Sequence, residues 1–205
     1  MSKQQTKLVM SLLRQATSTA QSGKIDRASA FLQKAVGQYR QLPSAAQVTS
    51  RAALVASSCS VASEALAREN FDDALSAGLT GWSYTDIEKD DLLYFDLVTA
   101  LGRAHIAVGD LDAAEHLARQ CLDSTRQTFG ENSLRVLDLS VDLLALLHWQ
   151  GRNLEADVLR LTIDRLAEPL LQQFPDKVQF FVKRLDELMA DGFAESWALM
   201  SHPPR

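Results

Sequence analysis

Apolar residues recur every three or four positions along most of this chain, and polar residues occupy the positions between them. Leu93, Leu97 and Leu101 show this spacing, and so do Leu144 and Leu147. A period near 3.6 residues is that of an α-helix, whereas strands alternate every two residues. The pattern therefore predicts an all-α protein.

The helices are expected to alternate with short turns, and Pro43 and Pro175 are expected to fall in the gaps because proline disrupts a helix interior. The predicted helices cover residues 4–21, 25–41, 45–68, 71–82, 90–108, 111–128, 132–150, 154–173, 176–190 and 193–200.

Four turns of similar sequence divide the chain. Each has a turn residue, usually Gly, five positions before an Ala. A Gly can end one helix in the left-handed conformation, and a small Ala lets the next helix pack closely. The spacing between successive alanines leaves room for two helices of four to five turns, so the repeating unit is a helical hairpin. The four alanines are Ala28, Ala74, Ala114 and Ala156.

The third unit carries the clearest family resemblance, through Leu101-Gly102, His105, Gly109, Leu111, Ala114, Ala118 and Cys121. In this spacing of large and small residues the chain resembles the tetratricopeptide repeat family, in a variant longer than the usual repeat of about 34 residues. The second unit matches least well, because Glu69 replaces the turn Gly, and Gly78 and Gly81 lie inside its second helix. That pair is expected to be short or kinked.

The resemblance implies an α-solenoid of about four hairpins with a C-terminal capping pair. These would form a single domain over residues 1–200, followed by a frayed tail at 201–205. Aromatic residues between the second and third units and near the C-terminus are expected to fill core space. The hairpins would cover residues 4–41, 45–82, 90–128 and 132–173, and the cap residues 176–200; the aromatic residues are Trp82, Tyr84, Tyr94, Phe95, Phe174, Phe180, Phe181, Phe193 and Trp197.

The resemblance also implies a concave groove, lined by the first helix of each hairpin, that binds a peptide or helix. Arg103 and Trp149 are the best anchor candidates, because Arg and Trp dominate interface energies. Alternatively, Arg103 pairs with Asp96 or Asp138, and Trp149 belongs to the core. The Lys and Asn set with which family members clamp a terminal carboxylate is missing. The predicted groove residues are Asp96, Thr99, Arg103, Asp138, His148 and Trp149, with Thr17, Ser63, Val141 and Ala145 on the same face.

Candidate chemistry is sparse. The four His and two Cys form no set at metal-ligand spacing, and no phosphate-binding glycine loop or nucleophile elbow is present. We therefore expect no metal, no cofactor and no enzymatic activity. Cys59 and Cys121 are expected to be buried thiols. The longest uncharged run near the start, Leu8–Leu13, is too short to span a bilayer, so a cytoplasmic protein, of bacterial type by composition, is expected.

Charge is divided unevenly. The first 60 residues hold eight Lys or Arg and one acidic residue, for a formal charge of +7, and the remaining residues carry −12. Lys3, Lys7 and Arg14 share one face of the first helix. Such a face could bind an acidic partner or another copy of the chain.

The sequence thus favours a protein-interaction module, either an adaptor, a scaffold or a chaperone. Two alternatives are the sensor or effector domain of a transcriptional regulator and nucleic-acid binding through the basic first 60 residues.

Overall fold

The computed structural model describes residues 2–85 and 91–190. The described residues are almost entirely helical and contain no strand, so the predicted all-α class is confirmed. The chain divides into two compact units, Met1–Asp110 and Leu111–Arg205. The described helices are α1 (Ser2–Gln21), α2 (Ile25–Tyr39), α3 (Ser44–Leu66), α4 (Phe71–Trp82), α5 (Asp91–Ala107), α6 (Leu111–Phe129), α7 (Leu134–Trp149), α8 (Asn153–Gln173) and α9 (Pro175–Ala190).

Unit 1 is a two-layered stack in which α3 is central. One layer holds α1, α3 and α5, with α1 and α5 packed on either side of α3. The second layer holds α2 and α4, which pack against each other and against their hairpin partners α1 and α3. Each helix thus contacts its nearest neighbours in sequence order, as the hairpin pattern predicts.

Unit 2 is built around α7. This helix packs against α6, α8 and α9, and α8 also packs against α9. None of its 16 residues is fully exposed. The unit boundary falls between α5 and α6, so the predicted third hairpin contributes one helix to each unit. The single domain expected from the sequence stays a prediction.

The predicted turn geometry is present at all four sites. Gly23, Gly109 and Gly151 have positive φ values of 82°, 81° and 73°. Glu69, which replaces the turn Gly in the second unit, also adopts a left-handed conformation, with φ of 59°. The alanine that follows each turn by five positions is buried, which allows the next helix to pack closely.

Helix boundaries differ from the prediction by no more than two residues. The seventh helix begins at Leu134 and not at 132, because Ser133 caps it by accepting a hydrogen bond from the Val136 amide. Pro175 does not lie in a gap but is the first residue of α9, where its missing amide hydrogen costs nothing. The α4 helix, with 12 residues, is short as expected, but it runs unbroken through Gly78 and Gly81.

The predicted helix at 193–200 and the tail at 201–205 lie outside the described residues, as do Phe193 and Trp197. The described part of the predicted cap, α9, buries Val178 and Leu185, but Phe174, which was expected to fill core space, is 42% exposed. No helix in residues 2–85 and 91–190 is both long enough and apolar enough to cross a membrane.

Candidate partner-binding surfaces

The outward side of α3 in unit 1 carries only small, uncharged residues at its central positions. These residues follow one another at spacings of three or four, so they form a single stripe along the helix. We call this stripe the open face of α3. Ala56 and Ser60 are half-buried, and the other members are exposed. The open face consists of Ala45, Thr49, Ala52, Ala56, Ser60 and Ser63 of α3, together with Ala67, the residue that caps its C-terminus.

The α5 helix borders the open face on one side. Asp96 and Thr99, two of the predicted groove residues, are exposed on α5. Asp96 lies close enough to Cys59 of α3 to affect its titration. The pKa of the Cys59 thiol is raised to about 11, mainly by burial and also by the Asp96 carboxylate, while a hydrogen bond with Ser63 acts in the opposite direction. Cys59 is a free, buried and neutral thiol, as expected, and Asp96 gives this border a negative charge.

The α1 helix borders the open face on the other side. The hydroxyls of Thr17 and Ser57 lie 3.1 Å apart, and Ser57 Oγ donates to the Leu13 carbonyl at 3.1 Å, which fixes α1 against α3. Thr17, projected into the groove from sequence, therefore takes part in helix packing. The predicted basic residues Lys3, Lys7 and Arg14 are all exposed on α1.

Arg103, the preferred anchor, is half-buried on α5. Burial lowers the pKa of its guanidinium group, because the charged form loses water contacts. Asp96 and Thr99 share its helix face at spacings of three to seven residues. The role of Arg103 as an anchor stays a prediction.

In unit 2 the predicted groove residues are less accessible. Asp138, His148 and Trp149 are half-buried on α7. Val141 and Ala145 are fully buried, so their projection onto a partner-binding face was wrong. A helical period identifies a common face, but it does not show whether that face reaches solvent.

The described titratable residues include a histidine that lies close to a carboxylate. The side chain of His105 is 13% exposed, and its Nδ1 atom lies 3.7 Å from Asp110 Oδ2. Burial lowers the pKa of His105, and the Asp110 carboxylate partly opposes this effect. Among the described residues, no group of three or more His, Cys, Asp or Glu is positioned to hold a metal ion.

The aromatic residues near the end of α4 fill core space, as predicted. Trp82 and Tyr84 pack against the buried cluster of Val55, Cys59 and Leu97. The rings of Tyr39 and Tyr84 meet edge to face with centroids 5.2 Å apart. These contacts join α2, α3 and α4 within unit 1, so this cluster acts in packing.

A carboxylate and guanidinium network joins α6 to the start of α8 in unit 2. Glu115, whose side chain is 10% exposed, accepts hydrogen bonds from Arg119 Nε at 2.7 Å and Arg152 Nη1 at 2.5 Å. Arg152 also donates to both carboxylate oxygens of Glu155. Burial acts to raise the pKa of Glu115, but the hydrogen bonds from Arg119, Arg152 and Gln150 lower it below its ordinary value.

Two clefts open on unit 2. One, of about 430 Å³, lies between α6 and α8 over Leu143 and Leu147 of α7. The other, of about 550 Å³, lies between α8 and α9. Both clefts have mixed linings: the polar residues are Arg119, Arg126, Glu155 and Thr162 in the first, and Asp164, Glu168, Gln179, Lys183 and Asp186 in the second.

The α8 helix exposes three large apolar side chains beside the first cleft. Leu154, Val158 and Leu161 are 83%, 66% and 60% exposed, and their spacing places them on one side of the helix. We call them the α8 stripe. Neither the α8 stripe nor the open face of α3 was identified from sequence. Both have a sequence pattern that could have revealed them, because similar residue types recur there at spacings of three or four.

Comparison of the chain with models of known protein families, with curated proteins and with solved structures finds no match in any of the three. The resemblance to tetratricopeptide repeats therefore stays a prediction carried by the turns and their spacing.

Proposed function

We propose that this chain is a non-catalytic protein-interaction module, serving as an adaptor, scaffold or chaperone. The partner is a helix or extended peptide that lies along the open face of α3. The observation that supports this function is the absence of charged side chains from the exposed positions of that face.

Solvent-facing sides of helices usually carry charged residues, but the open face of α3 carries none. The open face extends over 22 residue steps, which is about 33 Å of helix at 1.5 Å per residue. Small side chains let a second backbone approach toward the lower end of the 8–10 Å range of helix separations. The open face is therefore long enough and shallow enough to receive another helix.

The borders of the open face give the partner an orientation. Lys7 and Arg14 on α1 are basic, whereas Asp96 on α5 is acidic. A partner with acidic residues on one side and basic residues on the other matches both borders, and a reversed partner places like charges together.

The test uses an added side chain on the open face. We expect Ala52→Arg to block close approach and reduce partner capture, because the long side chain occupies the space of the partner backbone. The matched control is Ala30→Arg, at an exposed alanine on α2. Both helices should keep their stability, since exposed alanine and arginine have similar helix propensities. The proposal fails if a partner retained by wild type is retained equally by both variants.

Arg103→Ala and Trp149→Ala test the predicted anchors. Arg103→Ala should weaken capture if Arg103 contacts the partner, and unchanged capture in a folded variant removes it from the interface. Because Trp149 is half-buried, removing its side chain can also destabilise the fold. Its capture result therefore counts only if the variant and wild type have the same midpoint of denaturant unfolding.

Nucleic-acid binding is the second candidate. It is favoured by the basic residues of α1 and α2, all of which are exposed: Lys3, Lys7, Arg14, Arg27 and Lys34. Such binding would weaken steeply with salt, because phosphate contacts release counterions. Retention on immobilised DNA or RNA that persists unchanged at high salt, or is absent at low salt, would contradict it.

A further inference from the structure

The α8 helix carries an acidic edge beside its apolar stripe. Asp157, Asp164 and Glu168 are all exposed. No ion pair connects these three carboxylates to a cation within the described part of the chain. An unneutralised acidic edge next to exposed leucines is suited to a partner that is basic and partly apolar.

The α1 helix has this composition. Lys3, Lys7 and Arg14 are exposed, and in the described ranges none of them forms an ion pair. Leu8, the large apolar side chain on the solvent side of α1, is 47% exposed. Both helices present these residues to solvent in a single chain, so both surfaces are available to a second copy.

The spacings of the two charged edges correspond in antiparallel order. Along α1 the basic residues are separated by four and then seven positions, and along α8, read backwards from Glu168, the acidic residues are also separated by four and then seven. Each set spans 11 residue steps, or about 16 Å of helix. An antiparallel contact therefore brings three pairs together at once. The pairs are Lys3 with Glu168, Lys7 with Asp164, and Arg14 with Asp157.

No other described helix has three exposed acidic residues at this spacing. In the same register Leu161 of α8 lies level with residue 10 of α1, within one turn of Leu8. The apolar contact would thus lie beside the charged pairs, where it removes water from them and strengthens their attraction.

We infer that the acidic edge and apolar stripe of α8 form a self-association site that binds α1 of a second copy of this chain in antiparallel orientation. A single helix-to-helix contact buries less than the roughly 1,200 Å² of a standard interface, so the association is weak and reversible. It depends on salt, because exposed charges are screened over about 8 Å at physiological ionic strength.

The decisive experiment is a charge swap in the full chain, measured by sedimentation at low salt over a range of concentrations. Lys3→Glu, Lys7→Glu and Arg14→Glu together should abolish self-association, and so should Asp157→Lys, Asp164→Lys and Glu168→Lys together. Mixing the two triple variants should restore it, because each reversed helix then meets an oppositely charged helix. A loss of about tenfold or more in affinity is expected for each variant alone, equivalent to about 1.4 kcal/mol.

The matched control makes the same change in net charge outside α1, through Lys24→Glu, Arg27→Glu and Lys34→Glu together. Because these residues are not in the proposed contact, this variant should keep most of the wild-type affinity for self-association. Leu161→Ser should weaken it several-fold with unchanged helicity. The inference is wrong if wild type stays monomeric, if the mixture does not associate, or if the control loses as much as the α1 variant. It is also wrong if the α1 variant sediments like wild type and loses only retention on nucleic acid, since α1 would then serve that ligand.

Discussion

Unit 1 and unit 2 bury their central helices by different means. In unit 1, α3 has two leucines in 23 residues, and neighbouring helices approach it closely through small residues such as Gly81 and Ser58. In unit 2, α7 has seven leucines in 16 residues, and none of its residues is more than half-exposed. The central helix of unit 1 thus has exposed positions, whereas that of unit 2 has only buried and half-buried ones.

This difference determines which surfaces of each unit are accessible from solvent. A partner can reach the central helix of unit 1 along its open face. In unit 2 a partner can contact the outer helices, of which α8 exposes the most apolar surface. Helices in equivalent hairpin positions therefore differ in exposure because their side chains differ in size.

The largest expected effect comes from the leucine core of unit 2. Leu144 is fully buried, so Leu144→Ala should lower the free energy of unfolding by about 2–5 kcal/mol through lost burial and a cavity. The control is Leu154→Ala on α8, where the side chain is 83% exposed and a change within about 0.5 kcal/mol is expected. Urea denaturation measures both variants. Equal losses would contradict the burial assigned to α7.

The close approach of helices in unit 1 can be tested at Gly81. A Cβ added there would lie 2.9 Å from Ser58 Cβ and from Leu97 Cδ1, so Gly81→Ala should destabilise by about 1–3 kcal/mol through overpacking, less the helix propensity gained. Gly37→Ala in α2 is the control, since no atom lies within 4 Å of its added Cβ. That variant should be stabilised by about 0.5–1 kcal/mol. Thermal melts that move in the same direction for both variants would refute the close approach.

The Glu115 network of unit 2 should make stability depend on pH. Glu115→Gln should cost about 1–3 kcal/mol at pH 7, because two guanidinium groups lose a charged acceptor. The folded pKa of Glu115 lies below its ordinary value of 4.5. Its stabilisation is therefore complete above that value and is lost as the pH falls through the lower, folded pKa. Urea midpoints at pH 7 and at pH 3 should show the difference between wild type and variant shrinking in acid. A constant difference would exclude ionised Glu115 as its source.

The smallest effect is expected at the unit 1 turn that lacks glycine. Glu69 has a left-handed conformation that costs a side-chain-bearing residue about 1 kcal/mol, so Glu69→Gly should stabilise the chain by about 0.5–1 kcal/mol. The reciprocal change, Gly109→Ala, should destabilise by a similar amount, because its φ is 81° although its surroundings are open. Differential scanning calorimetry resolves both shifts. A lower melting temperature for Glu69→Gly would show that the Glu69 side chain makes a compensating contact.

The helices and turns of this protein could be predicted from local pattern. The period of Leu93, Leu97 and Leu101 and the Gly-to-Ala spacing placed every described helix within two residues. Both signals depend on interactions within a few positions, namely the helical hydrogen bond and the left-handed turn. The unbroken course of α4 through Gly78 and Gly81 was not anticipated, because close packing of these glycines against Leu101 and Leu97 outweighs their low helix propensity.

The sequence by itself determined the all-α class, the hairpin turns and the basic face of α1. Only the tertiary structure decided that Val141 and Ala145 are buried, that the open face of α3 reaches solvent, and that Leu154 and Leu161 are left uncovered. The physical reason is that burial depends on neighbours distant in the chain, whereas helical periodicity reports only which residues share a side of one helix.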